Sequence, residues 1–173
     1  DLEIDDESGT VEDVTVLFTF DVAPTGGDID DLVSDATLVI DGDEYQADNI
    51  NAISGTTFTI DFDTEEMDVE IDDEFEISVE LDLSELDPAV TSEAAFIGKE
   101  LKATSIVFAG DDSSEDSYTT SPAIAIDNAP EMNLSAGALA LEESDVDGYN
   151  SVGSDDDAAK ATFTVKVKAD GDE

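Results

Sequence analysis

An acidic stretch near the carboxyl-terminal end is the clearest candidate for chemistry in this sequence. Glu143, Asp145 and Asp147 carry carboxylates at alternate positions ahead of a glycine, as in the first half of an EF-hand loop. This spacing can turn oxygen ligands inward onto a hard cation, and the carbonyl of Tyr149 continues the count. Asp155 comes one residue after the position that a bidentate glutamate would occupy. We therefore predict a candidate calcium site at these five residues, with a solvated acidic hairpin loop as the alternative.

Three further groups of acids lie in segments with turn composition. They are Asp28 with Asp30 and Asp31, Asp41 with Asp43 and Glu44, and Asp111-Asp112 with Glu115-Asp116. Because the chain contains 48 Asp and Glu residues, some carboxylates approach one another by chance. Calcium somewhere in the molecule is therefore better supported than calcium at any one group. Abundant carboxylate without His or Cys favours Ca²⁺, Mg²⁺ or Na⁺ over transition metals.

The residue types that usually carry catalysis are missing. With no His and no Cys, the chain lacks the usual general base and the usual transition-metal ligands. A glycosidase needs two carboxylates at a set separation in a cleft, usually with aromatic sugar platforms, and this chain has no Trp and three Tyr. Neither a GxSxG turn nor a glycine-rich phosphate loop occurs in it. We expect that the protein is not an enzyme.

The charge balance disfavours several classes of partner. Against the 48 acids stand five Lys and no Arg, for a formal net charge of −43 over 173 residues. Nucleic acid and anionic lipid both require clustered cations, so we expect neither as a partner. No run approaches the roughly 18 apolar residues of a spanning helix, so we expect no membrane insertion in this segment. No signal peptide is visible at Asp1, and we expect a mature or trimmed form, or an internal segment.

So much negative charge indicates a protein that works in salt. The Debye length is about 8 Å at 0.15 M salt and about 3 Å at molar salt, so brine would relieve most of the self-repulsion. A surface protein of a halophile is the interpretation that we favour. An acidic protein of an ordinary microbe, with carboxylates partly neutralised by divalent cations, is the alternative. Both predict that low salt with a chelator destabilises the fold.

Apolar and acidic residues alternate along several segments, which predicts β-strands with one buried and one solvated face. The pattern is clearest from Glu74 to Leu83, where the apolar positions are Phe75, Ile77, Val79, Leu81 and Leu83. It recurs at Val14, Val16, Phe18, Phe20 and Val22, and at Phe58, Ile60 and Phe62. The charge therefore lies on one face of a folded sheet.

Turn signals separate these strands. Thr37–Ile40 ends at Asp41-Gly42, a hairpin signal, and a strand follows at Glu44-Tyr45-Gln46. Further strands are predicted at Leu101–Ala109, Tyr118–Ile126, Leu134–Leu141 and Ala161–Lys168. The first of these four breaks phase, which predicts a bulge or burial of both faces. Residues 84–100 lack alternation and are predicted to form a short helical crossover. We predict an all-β fold, an Ig-like Greek-key β-sandwich.

The end of the chain is similar to its beginning. Phe18-Thr19-Phe20-Asp21-Val22 is echoed by Phe163-Thr164-Val165-Lys166-Val167, and the acidic strand Leu2–Asp6 is echoed by Leu139–Glu143. We therefore predict a first β-sandwich domain at residues 1–128. Residues 129–173 would form the start of a second similar module, or a strand-exchange and linking segment. Chance similarity of two short β segments is the alternative.

A resemblance follows from these motifs. A threonine-rich Phe18-Thr19-Phe20 strand, a Gly-Asp turn, an alternating strand ending Glu80-Leu81-Asp82-Leu83 and a fresh start after Asn128-Ala129-Pro130 resemble Ig-like β-sandwich repeats of secreted microbial surface proteins. S-layer, stalk and adhesin repeats are of this kind. The resemblance implies an architectural role outside the cell, and the near absence of basic residues departs from the commoner members.

We therefore expect a structural subunit or repeat of an extracellular surface assembly, such as an S-layer, stalk or filament. Its modules would be joined through β-strand complementation, with copies of itself or adjacent modules as partners and cations at its surface. The alternatives are a calcium-dependent adhesin or ligand-binding module and an accessory domain of a secreted hydrolase. Asn133 begins an N-glycosylation sequon, which fits an exported protein.

The five lysines are the only cationic side chains of the sequence. Lys166 and Lys168 lie on the polar face of the last predicted strand, and Lys99 and Lys102 flank another. They are predicted to mark places where strands of like charge approach one another. Ordinary protection of an edge strand by lysine is the alternative.

Overall fold

The computed structural model describes residues 9–69, 74–111, 116–126, 129–135, 140–141 and 159–168. The helical elements of these residues are a 3-10 turn, Ile29–Asp31, and α1, Thr91–Ala94. The strands are β1 Gly9–Phe20, β2 Val33–Ile40, β3 Asp43–Ile50, β4 Thr57–Val69, β5 Glu74–Leu83, β6 Glu100–Asp111, β7 Ser117–Thr119, β8 Ile124–Ala125, β9 Met132–Asn133, β10 Ala140–Leu141 and β11 Ala159–Lys168. The prediction of an all-β fold is confirmed.

All of the strand pairings in the described residues are antiparallel. The strands follow the order β10-β9-β6-β1-β4-β3-β2-β5-β11, and β7 and β8 also pair with β6. The third strand joins the two halves: Asp43–Gln46 pairs with β2, whereas Ala47 and Ile50 pair with β4. The sheet therefore curls, and one core is shared by β1, β2, β4, β5 and β6.

The strand β1 keeps its apolar side inward in spite of an interruption. Val11 and Val14 are both fully buried although they are three residues apart. The register with β4 and with β6 shifts between Val11 and Asp13, so a β-bulge at Glu12 absorbs the odd residue. The strand ends at Phe20, and Val22 is 52% exposed. The prediction that Val22 belongs to the inward row is therefore wrong.

The phase break that was predicted in residues 101–109 is also a bulge. Leu17 pairs with Ser105 and Phe18 pairs with Ala103, so Thr104 has no partner position on β1. Its hydroxyl instead contacts the hydroxyl of Thr19 at 3.0 Å. A separate irregularity lies opposite the Glu12 bulge, at residues 64–66 of β4, where Glu65 and Glu66 have φ of 52° and 59°.

The core is built around phenylalanines of β1, of β4 and of the segment between α1 and β6. The Phe18 and Phe58 rings stack with their centroids 5.1 Å apart, and Phe20 contacts both Phe58 and Phe96 at 5.6 and 5.8 Å. Each such side chain, once fully buried, contributes roughly 1.5–3 kcal/mol to folding. Gly27 leaves room for this cluster, since a Cβ there would lie 2.7 Å from the Phe96 ring.

Two turns that the sequence predicted are present. Asp41 and Gly42 join β2 to β3 with φ of 50° and 99°, as a two-residue hairpin loop requires. The crossover from β5 to β6 contains the single helical turn α1. The segment Tyr118–Ile126 differs from its prediction as one strand, because β7 and β8 are separate. Pro122 between them has no N–H to donate to a ladder.

The segment after residue 128 contacts the same core. Met132 and Leu134 are each 1% exposed and belong to the core cluster. The Leu134 N–H donates to the Lys99 carbonyl at 2.9 Å, and its carbonyl accepts from Gly98 at 2.7 Å. A domain boundary near residue 128 stays a prediction. The predicted strand Leu2–Asp6 lies outside the described residues.

Candidate functional site

The predicted calcium loop lies outside the described residues. This applies to Glu143, Asp145, Asp147, Tyr149 and Asp155 alike. Within the ranges that the structure does describe, no group of three or more Asp and Glu side chains is arranged to hold a metal ion. Calcium at the predicted loop therefore stays a prediction.

The acidic group at the β2–β3 hairpin has a structural use. The Asp41 carboxylate accepts a hydrogen bond from the Glu76 N–H at 2.9 Å, and the Asp41 N–H donates to the Glu76 carbonyl at 3.1 Å. Asp41 therefore fixes the hairpin against β5. In the group at Asp28, Asp30 and Asp31, the residue between the first two, Ile29, is buried, and it anchors the 3-10 turn to the core.

Acids converge where β1 bulges at Glu12, between the irregular residues 64–66 of β4 and the end of β6. The carboxylate of Asp111 raises the pKa of Glu12, and burial, Glu66, Asp13 and Asp63 raise it further. Each of these neighbours is negative, so protonating Glu12 relieves repulsion. The bulges therefore gather acids at one end of the sheet.

Tyr118 lies beside these acids, at the same end of the sheet. Its hydroxyl donates to the Thr10 carbonyl at 3.0 Å. Burial, with Glu12 and Asp111 nearby, raises the pKa of Tyr118 to about 12. At the same position a Cβ on Gly110 would overlap the carbonyl oxygen of Thr10, so only glycine fits this approach of β6 to β1. A neutral hydroxyl donor is thereby held among carboxylates.

A lysine joins the segment after residue 128 to β6. Lys102 Nζ lies 3.1 Å from Glu131 Oε1, and both side chains are about half exposed. The pair lines a cleft of about 360 Å³ with Asp21, Glu100 and Phe20. The Asp21 carboxylate accepts from the Glu100 N–H at 2.9 Å. Lysine and acids here bind each other and the backbone, which is an arrangement for holding two segments together.

Three of the other four lysines lie on β11, which runs along β5. Ten consecutive residue pairs join the two strands with no shift of register, from Ala159 opposite Leu83 to Lys168 opposite Glu74. No other ladder in the described residues is as long without a shift. The chain therefore continues its sheet regularly at this edge.

In this ladder, polar and charged residues are opposite one another, and apolar residues are opposite apolar residues. In one row of alternate positions, Lys160 is opposite Asp82, Lys166 is opposite Glu76 and Lys168 is opposite Glu74, with the pairs Thr162–Glu80 and Thr164–Ser78 between them. The positions of the other row pair apolar residues: Ala161 with Leu81, Phe163 with Val79, Val165 with Ile77 and Val167 with Phe75. Directly opposite residues of an antiparallel pair have Cβ atoms about 4.5–5.5 Å apart, which is close enough for opposite charges to stabilise the pairing.

Sequence reasoning missed this match, although a signal was present. Lys160, Lys166 and Lys168 are separated by even numbers of residues, so a strand places them on one face. The acids of β5 share the same spacing rule. Alternation along one strand does not determine the register that places the lysines of β11 opposite the acids of β5.

Asn133 of the predicted sequon lies in β9, opposite Ala140 of β10 and Glu100 of β6, and is half-buried. Glycosylation there stays a prediction. In the described part of the chain, no helix has the length and apolar character needed to cross a membrane. Comparison with protein-family models, curated proteins and solved structures gives no match for this chain.

Proposed function

We propose that this chain is a structural subunit or repeat of an extracellular surface assembly, such as an S-layer, stalk or filament of a halophile. The observation that carries the proposal is the placement of the cations. Lys102 is bound to Glu131, and Lys160, Lys166 and Lys168 are opposite acids of β5. Four of the five lysines therefore lie where residues beyond 128 meet the first module.

The outward faces support the same proposal. Acids and threonines alternate with the buried rows, so each copy presents a strongly negative, hydrated surface. Such copies repel one another in dilute buffer and approach one another in brine. An assembly of them needs specific cationic contacts, and β11, with three lysines and no acid in residues 159–168, is the segment that can supply them.

The Ig-like Greek-key sandwich is part of this proposal. Its support is the strand β3, whose two halves pair with different parts of the sheet, together with the single core between those parts. A strand that changes partners in this way joins the two layers of a sandwich. The resemblance to secreted surface repeats favours export of the chain.

The test is electron microscopy of the protein in molar KCl over a wide range of protein concentration. Ordered sheets or filaments, with light scattering that rises with concentration, are the expected result. Dispersed monomers at every concentration would overturn the proposal. Measuring the same samples with and without a chelator separates it from the calcium-dependent adhesin, whose contacts require the metal.

A further inference from the structure

We propose that β11 is an exchangeable linking strand, which pairs with the β5 edge of a second copy of this chain in the register set by its lysines. The inference rests on the proposed function and names the segment, the edge and the partner of that assembly. It follows from the backbone register, the charges and the burial of β5.

The side of β5 away from β2 can pair with a further strand. In the described residues, β5 has β2 on one side and β11 on the other. Ile77, Val79 and Leu81 are at most 3% exposed, which fixes the inward face of the strand. Without β11, a row of backbone N–H and C=O groups along β5 would be unpaired, and such an edge is a template for another chain.

The strand β11 differs in charge from the rest of the chain. Residues 159–168 contain three lysines and no acid, whereas the whole chain carries a net charge of −43. Two copies that approach through any acidic face repel each other. Approach through β11 instead brings positive charge to an edge where Glu74, Glu76 and Asp82 occupy the matching register positions. A second copy is therefore the partner that this strand fits.

Pairing within one chain and between two chains uses the same contacts. Residues 142–158 join β10 to β11, and a chain of that length reaches about 55 Å when extended. A linker of this length holds a strand near its own edge at an effective concentration of the order of millimolar. Exchange therefore competes when copies are packed at similar density, as in a surface layer, or when they fold together from a concentrated solution.

Engineered cysteines test the exchange directly, because the natural chain has none. Ser78 and Thr164 are directly opposite in the ladder. One full-length variant carries Ser78→Cys and another carries Thr164→Cys. The two are mixed in denaturant, refolded together at high concentration in molar KCl, and oxidised. The expected product is a disulfide-linked dimer containing one chain of each kind.

Two controls make the result decisive. Lys168→Cys mixed with Ser78→Cys should give at least tenfold less covalent dimer, since Lys168 is opposite Glu74. The double variant with both Ser78→Cys and Thr164→Cys reports pairing within one chain. If only the double variant forms a disulfide, as a monomer, β11 stays on its own chain and the proposal is overturned. If neither sample forms a disulfide, the register is wrong and the proposal is overturned too.

A charge exchange tests the role of the lysines. One variant carries Lys160→Glu, Lys166→Glu and Lys168→Glu, and the other carries Glu74→Lys, Glu76→Lys and Asp82→Lys. Each alone places like charges opposite one another, so each should lose assembly. Mixing the two should restore it at least tenfold, because every strand then finds an edge of opposite charge on the other variant. A mixture that behaves as the sum of its parts would contradict the proposal.

A control matched in net charge is Lys99→Glu with Thr25→Glu, Ala52→Glu, Ala89→Glu and Thr91→Glu, which adds the same six negative charges outside β5 and β11 and should keep strand exchange. The outcomes also separate the two proposals. Ordered polymers without the mixed disulfide would leave the surface assembly standing and reject strand exchange. A mixed disulfide in samples that never polymerise would do the reverse.

Discussion

The β1–β4 ladder and the β5–β11 ladder both contain many acidic residues, but different residues are opposite those acids. In the first, Asp13 is opposite Asp63, and the register breaks just before this pair, where Glu12 bulges out. In the second, three of the four acids of β5 are opposite lysines, and the ten residue pairs follow without a shift of register. The longest ladder without a shift in the described residues is therefore the one whose register sets lysines opposite acids, and the ladder that sets acid opposite acid contains the bulge.

Uncharged donors satisfy an acid elsewhere in the β1–β4 ladder. The Thr15 hydroxyl donates to the Asp61 carboxylate at 2.7 Å, and Asn51 donates to the same carboxylate at 2.7 Å. Neutral donors thereby satisfy an acid that has no cation opposite it. Since a charge-assisted hydrogen bond contributes about 1.5–3 kcal/mol, a few such donors can substitute for a lysine.

Removal of salt should have the largest effect on stability, and it should destabilise the β1–β4 ladder before the β5–β11 ladder. Lowering KCl from molar to about 0.01 M extends the Debye length to about 30 Å, so repulsion among the acids near Glu12 grows. We expect unfolding, with hydrogen exchange rising in β1 before β5. Circular dichroism and amide exchange over a salt series measure this.

Chelation sharpens that experiment. If carboxylate repulsion alone is at work, adding a chelator at fixed molar KCl leaves the melting temperature unchanged. A large drop would instead favour integral calcium. Equal loss of protection in β1 and β5 at every salt concentration would contradict the contrast between the ladders.

Replacing Thr64 by valine should cost about 1–3 kcal/mol of folding free energy. Its side chain is 1% exposed and its hydroxyl donates to the Val11 carbonyl at 2.7 Å, beside the bulge. Thr64→Val keeps the shape but leaves that buried carbonyl without its donor. Thr64→Ser keeps the hydroxyl and should recover most of the loss in chemical denaturation. Equal destabilisation by both variants would assign the effect to packing.

Tyr118→Phe should change the response to alkaline pH. Because the pKa of Tyr118 is about 12 in the fold and 10.0 ordinarily, the unfolded chain loses the proton first. Its contribution to stability is therefore complete below pH 10 and is lost as the pH rises from 10 to 12. The variant should lose about 0.5–1.5 kcal/mol at pH 7 with the hydrogen bond to Thr10. It should then show a smaller further loss up to pH 12 than the natural chain does.

Glu12→Gln should have the smallest effect on folding stability, and it should stabilise the protein whereas Thr64→Val and Tyr118→Phe destabilise it. Asp111 raises the pKa of Glu12 in the fold, so the folded state takes up this proton more readily than the unfolded chain. Stability contributed by this group therefore increases as the pH falls from neutral towards 4.5 and stops changing below that value. The variant should be more stable than the natural chain in thermal melts at pH 7 and modest salt.

A control for that variant is Asp30→Asn, which removes one exposed charge in the 3-10 turn, away from the bulges. It should give a smaller gain at the same pH and salt. An equal gain from both would mean that net charge, and not the cluster around Glu12, is responsible.

Local patterns predicted most of the strands because alternation is a property of neighbouring residues. The run from Glu74 to Leu83 is β5 with unchanged bounds, and the phase break in residues 101–109 is the bulge at Thr104. The same rule failed at Val22, where the strand has already ended. It also failed at residues 118–126, where pairing to β6 is divided in two.

By itself, the sequence determined that this protein is a β-sheet with acids outside and apolar residues inside, since a period of two fixes which side chains share a face. It also determined that cations are scarce and share one parity on the last strand. Only the tertiary structure decided that Lys160, Lys166 and Lys168 are opposite acids of β5. Register depends on two segments far apart in the chain, and a slip of one residue would place lysines opposite the apolar row.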